Sequence, residues 1–152
     1  MTGSTARQST IQVNLLGKLR AQLCGKPCRA HGSHMKIFVA DSIRYPDAFV
    51  VCSPVEGQAT VIEESVVVFE LLSPSTAFVD RGAKSKECRD TPSIQRYVML
   101  EQDRQAAAVF TLAADDWVGH ILSGNAVLDM PEIGISIPLA DLYEGVTFDD
   151  AA

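Results

Sequence analysis

Asp47, Glu70 and Lys84 are three side chains whose chemical types could together hydrolyse a phosphodiester bond. Oxygens from an Asp and a Glu, with a backbone carbonyl such as that of Leu71, make a hard donor set suited to Mg²⁺ or Mn²⁺. A nearby ammonium can orient a water nucleophile or stabilise charge on a phosphorane-like transition state. Each residue also has a plain structural reading. Asp47 can cap a turn, Glu70 can pair with Lys84 in a buried salt bridge, and Lys84 can be a solvated helix residue. Spacing alone leaves both readings open.

Glu70 stands out through its surroundings. Residues 66–76 read VVVFELLSPST, an apolar run closed by turn residues. Such a run is the mark of a strand buried on both faces. An ionised carboxylate inside it is costly unless it is paired or coordinates a cation. Asp47 opens the run DAFVVC at 47–52, after Tyr45-Pro46 sets an extended entry. If the two strands are neighbours, the carboxylates converge at one edge of the sheet.

The elements around them follow from periodicity. Residues 9–23 place Ile11, Leu15, Leu19 and Leu23 at steps of four, which predicts an amphipathic helix capped by Ser9 or Thr10. Gly25 and Pro27 end it. Strands are expected at 36–40, 47–52 and 65–72, and a helix over roughly 77–90 that carries Lys84 and Lys86. Three more strands are expected at 97–101, 107–113 and 117–122, the first two joined by a hairpin loop at 101–105. A short strand near 134–137 leads into a terminal helical turn begun by Pro138. Nothing marks a second domain. The expectation is one domain over 1–152, of α/β (α+β) class, with a mixed central sheet flanked by helices.

Composition narrows the classes. The chain has 152 residues, 47% of them hydrophobic, with a formal net charge of −6. That fits a globular core and counts against a high-affinity nucleic-acid binder, whose affinity rests on basic side chains. Arg81, Lys84, Lys86 and Arg89, with Lys36 and Arg44 on neighbouring elements, nevertheless form a basic stripe that could meet a phosphate backbone. No apolar run reaches the roughly 20 residues that span a bilayer, and no signal-peptide core is visible, so a soluble cytoplasmic protein is expected. The cysteines, Cys24, Cys28, Cys52 and Cys88, are expected as reduced thiols.

Other chemistries fare worse. Cys24, Cys28, His31 and His34 are zinc-type ligands, but their spacing needs a tight knuckle, and a buried cysteine pair with exposed histidines is the better reading. Gly32-Ser33-His34-Met35 matches a cleavage scar only by coincidence, because the preceding helix is properly amphipathic. There is no phosphate-binding glycine loop and no GxSxG elbow. Val109, Phe110, Trp117 and Ile121 are expected in the core for the most part, with a homodimer contact as the alternative.

Four pieces occur in a telling order: Tyr45-Pro46-Asp47; Phe69-Glu70-Leu71-Leu72-Ser73-Pro74-Ser75-Thr76; Asp80-Arg81-Gly82-Ala83-Lys84; and Pro92-Ser93-Ile94-Gln95-Arg96-Tyr97. Together, over about residues 3 to 146, they resemble the Uma-type (DUF820-like) restriction endonucleases of the PD-(D/E)XK nuclease superfamily. The resemblance implies a restriction-endonuclease-like fold, Mg²⁺ (or Mn²⁺) held by Asp47, Glu70 and the Leu71 carbonyl, and DNA as the partner. It implies Lys84 as the catalytic lysine, with Lys86 the fallback, because Leu72 stands where the superfamily usually has lysine. By the same resemblance, the chain is expected to lack the family's upstream acidic segment. His34 replaces an aspartate of the pattern and Arg96 a glutamate, the latter expected to alter only surface charge. These departures keep a rival open, a catalytically impaired module on the same fold that binds nucleic acid or protein.

Overall fold

The computed structural model describes residues 5–72 and 85–148. Helix α1 (Ala6–Leu23) is followed by β1 (Arg29–Gly32), β2 (Lys36–Val39), β3 (Ser42–Arg44), β4 (Ala48–Val51), β5 (Val61–Ile62) and β6 (Ser65–Leu71). Residues 85–89 are helical (α2). Then come β7 (Arg96–Leu100), β8 (Ala106–Ala113), β9 (Asp116–Ser123), β10 (Val127–Met130), a 3₁₀ turn (Pro131–Ile133), β11 (Ile135–Pro138) and α3 (Leu139–Leu142).

The central sheet has six strands in the order β1-β4-β6-β7-β8-β9. It is mixed: β6 and β7 run parallel, and the other neighbours are antiparallel. The Val/Phe-rich β4 and β6 and the fully buried β7 occupy its middle, because their apolar side chains on both faces need cover from two layers. On one face, Val67, Phe69, Val98 and Leu100 pack against the α1 stripe and the β10–β11 hairpin. On the other, Phe49, Val68, Tyr97 and Met99 pack beneath a small sheet ordered β3-β2-β5 and against Cys88 of α2.

The helical stripe of α1 is buried as its spacing requires, with Ile11, Leu15 and Leu19 at 0% exposure. Its cap differs from expectation. Thr5, not Ser9 or Thr10, accepts a bond from the Gln8 N–H at 3.1 Å, while the Thr10 hydroxyl donates back to the Ala6 carbonyl inside the helix. Beyond Leu23, Gly25 takes a left-handed φ of 81° that few other residues tolerate. Because α1 and β1 are built into the core, residues 6–32 belong to the fold.

The thiol expectation needs correction. Cys28 and Cys52 are disulfide-bonded across the β1–β4 pair, where Arg29 is opposite Val51. Cys24 is exposed and unbonded, which also separates the proposed zinc ligands. The bond closes a loop across a sequence separation of 24 residues, and chain-entropy arguments give such a loop about 3 kcal/mol. Urea unfolding with and without dithiothreitol is therefore expected to differ by about that amount; coincident curves would show that the bond adds nothing.

The outer strands resolve the core-or-contact question residue by residue. Val109 is fully buried, Phe110 and Trp117 are partly buried, and Ile121 is 68% exposed on the edge strand β9. Gly119 leaves room for Phe110, whose ring would meet an added Cβ at 2.9 Å. The guanidinium of Arg89 lies 5.9 Å over the centre of that ring, so Arg89 is turned toward the sheet and not only to solvent.

Candidate active site

The carboxylate pair forms where β6 leaves the sheet. Ala48 is paired with Phe69 in the antiparallel β4–β6 ladder, so the next step outward sets Asp47 across from Glu70. Directly opposed residues point to the same face. That face is the one carrying Phe49, Val68 and Tyr97. Both acids thus lie on one side of the sheet at the carboxyl end of β6, beside the parallel strand β7. Such strand ends are where open α/β sheets commonly bind ligands.

Two bonds to other described residues hold Asp47. Its Oδ2 accepts from the Leu71 N–H at 2.7 Å, so the carboxylate closes the end of β6. Its backbone carbonyl accepts from Gln12 Nε2 at 2.9 Å, and the same amide reaches Ser33 Oγ at 3.2 Å. Helix α1 therefore anchors the segment from the far side. Pro46 is buried beside it and restricts the entry.

Glu70 is partly exposed and lines a small pocket with Arg44, Glu87, Cys88 and Tyr97, walled by Val68 and Pro46. Burial pushes the Tyr97 hydroxyl far above the ordinary phenol range, and the charges of Glu70, Cys88, Asp47 and Glu87 push it in the same direction. Tyr97 is thus a neutral phenol at any working pH. The same electrostatics show that three carboxylates act on one spot. Arg44 answers them. It forks onto Glu87, with Nε to Oε2 at 3.0 Å and Nη2 to Oε1 at 2.6 Å. Its pKa is raised first by that hydrogen bond, then by the charges of Glu87 and Glu70, with burial opposing.

The donor set can be tested against a divalent cation. Among the described residues no group of three or more His, Cys, Asp or Glu side chains is gathered to hold a metal. Two opposed carboxylates still fit Mg²⁺, which keeps several waters and is commonly held by one or two carboxylates and substrate phosphates. They do not fit zinc, which wants a closed tetrahedral set.

The remaining expected residues divide. Lys84 lies in 73–84, outside the described residues, as do Asp80 and Arg81. Lys86 is exposed and is not among the residues lining the Glu70 pocket. Leu72, two positions after Glu70, is 9% exposed and packs in the core under the small sheet. His34 is exposed in a turn after β1. Arg96 is corrected from surface to interior. It is 6% exposed, on the opposite sheet face from the acids, and bonded to Glu132 and Thr111. Residue-type reasoning gave Glu87 and Tyr97 no role. The alternation of Glu70 with Val68, and of Tyr97 with Met99, was the available signal for one shared face.

The fold is that of a solved nuclease-like protein. A "putative nuclease belonging to DUF820" from Anabaena variabilis ATCC 29413 superposes with a TM-score of 0.79, covering 93% of this chain and 83% of its own, at 16% identity. The particular family follows from sequence. The Uma2 model, described as "Putative restriction endonuclease", matches residues 1–140, and the chain belongs to that family. A relative from Synechocystis sp. (strain ATCC 27184 / PCC 6803 / Kazusa), the "Uncharacterized protein slr1290", is 29% identical over 152 residues, covering 97% of this chain and 80% of the relative.

Proposed function

We propose that this chain is an Mg²⁺-dependent endonuclease that hydrolyses phosphodiester bonds in DNA, with Asp47 and Glu70 as the metal ligands. The observation that supports the reading is the Ala48–Phe69 register, which one step outward sets Asp47 level with Glu70 at the carboxyl end of β6, with Asp47 bonded to the Leu71 N–H. A bound Mg²⁺ or Mn²⁺ would polarise the scissile phosphate and lower the pKa of a water. Asp47 and Glu70 orient that ion, and the Leu71 carbonyl is a further oxygen at the same strand end. Tyr97 lines the same pocket as Glu70. Lys84 is assigned the positioning or deprotonation of the attacking water. Among the described residues no helix is long and apolar enough to cross a membrane.

The test is metal-dependent cleavage. Supercoiled plasmid and single-stranded DNA are expected to be cut in Mg²⁺, left intact in excess EDTA, and cut again when Mn²⁺ is restored. Cleavage that survives chelation, or none in any divalent ion, would end the proposal. One observation favours a second reading. Leu72 fills the core at the position from which a lysine would share the Glu70 face, as suits a nuclease fold that binds nucleic acid or protein without cutting it. Binding retained with no cleavage in any metal selects that alternative.

A further inference from the structure

The segment leading into Asp47 carries two side chains that the hydrolytic reading leaves without a task. Arg44 ends β3, and Tyr45 follows it with 60% of its surface exposed. Pro46 and Asp47 come next, so a cation, an aromatic ring and a site carboxylate are placed in consecutive order on one stretch of chain. Arg44 lines the pocket of Glu70. Its Nε–Nη2 edge is taken by Glu87, whereas among the described residues Nη1 makes only a 3.5 Å approach to the carbonyl of its own neighbour Ile43. A guanidinium has five donors, so a fork held on one side by a carboxylate still presents donors on the other. With 43% of its side chain exposed, Arg44 can present them to solvent.

The spare guanidinium donors say what would bind there. Glu87 is the partner of Arg44, which is the basic side chain among the described residues lining the Glu70 pocket. A phosphate oxygen is a fitting acceptor for the donors this guanidinium presents. Tyr45, the next residue in the chain, supplies a flat and largely exposed ring, and an unpaired base can stack on such a ring whatever its identity. We propose that Arg44 and Tyr45 form the substrate-receiving rim of the site, Arg44 contacting a phosphate and Tyr45 stacking a base of a single-stranded stretch of nucleic acid. Glu87 is then a positioning residue that holds the guanidinium fork across the pocket mouth. The proposal rests on the nuclease reading of the same site but concerns binding, which is measured without turnover.

The experiment is anisotropy of a fluorescein-labelled single-stranded oligonucleotide, and of its duplex, in Ca²⁺ over a range of salt concentrations. The wild type is expected to bind the single strand more tightly than the duplex. Arg44→Ala should weaken binding about 10-fold and lower the slope of log K against log salt by about 0.7, as when one phosphate of a single strand is no longer neutralised. Arg44→Lys keeps the charge, so it should keep the slope while losing affinity because an ammonium has no fork. Tyr45→Ala should weaken binding about 5- to 100-fold with the slope unchanged, and Tyr45→Phe should bind as wild type. Thermal melts check that each variant is folded. Unchanged affinity and slope in Arg44→Ala, unchanged affinity in Tyr45→Ala, or a wild type that prefers duplex or binds neither probe would overturn the rim. Metal-dependent cleavage with Arg44 and Tyr45 dispensable removes the rim alone. Binding that depends on both, with no cleavage, removes hydrolysis and leaves the rim standing.

Discussion

Asp47→Asn is expected to lower the metal-dependent cleavage rate by about 100- to 1,000-fold while leaving the fold almost as stable as the wild type. The two effects separate because Asp47 does two things. Its Oδ2 accepts the Leu71 N–H at the end of β6, and its negative charge lies on the same sheet face as Glu70. An asparagine oxygen can still accept that N–H, so the strand end stays closed. The charge that would hold a divalent ion is gone. Asp47→Ala removes both, and leaves the N–H of Leu71, a residue 7% exposed, without its acceptor. That variant should therefore lose about 1–3 kcal/mol of stability as well as activity. Glu70→Gln should match Asp47→Asn in activity, since the ligand pair needs both charges. Plasmid cleavage, Mn²⁺ calorimetry and urea unfolding read the three quantities. Wild-type cleavage by Asp47→Asn would take the residue out of the metal site and leave it a strand cap.

The sequence carried the site's residue types better than its geometry. The apolar runs of β6 and β7 and the four-residue steps of α1 identify the central layers, because burial on two faces or one stripe leaves a periodic mark. That Asp47 falls level with Glu70 follows from the Ala48–Phe69 register, which no local spacing encodes. The Arg44–Glu87 fork joins residues 43 apart on separate layers, so it too is a product of tertiary packing. The misplaced cap of α1 has a local cause. The Ser9-Thr10 pair looks like a helix start, yet the Thr10 hydroxyl satisfies itself on Ala6 and lets the helix extend back to Thr5. The strand β10 was missed because its four residues run straight into Pro131, leaving too little alternation to see. The Cys28–Cys52 bond depends on β1 pairing with β4, and β1 is a short, half-polar strand.

Arg96 shows most directly how charge in a sequence misleads about position, and it gives the largest stability effect. Standing at the start of a strand, it reads as a surface residue. Its side chain and that of Glu132 are only 7% and 8% exposed, joined by Nε–Oε2 at 2.6 Å and Nη2–Oε1 at 3.1 Å. Nη1 reaches the Thr111 hydroxyl at 2.9 Å, so the fork is held on two sides. Glu132→Ala strands a buried guanidinium and should cost about 3–5 kcal/mol. The double change Arg96→Met with Glu132→Leu removes both charges and should fall near the wild type or above it, because burying the pair carries its own desolvation cost. Urea unfolding of the two variants distinguishes this from a weak surface pair, for which Glu132→Ala would cost less than about 1 kcal/mol. Val67 pairs with Arg96 on the α1 side of the sheet, whereas Asp47 and Glu70 face the other side. The folded double variant should therefore cleave as the wild type does, which would place the ion pair in the scaffold and leave the chemistry to the opposite face.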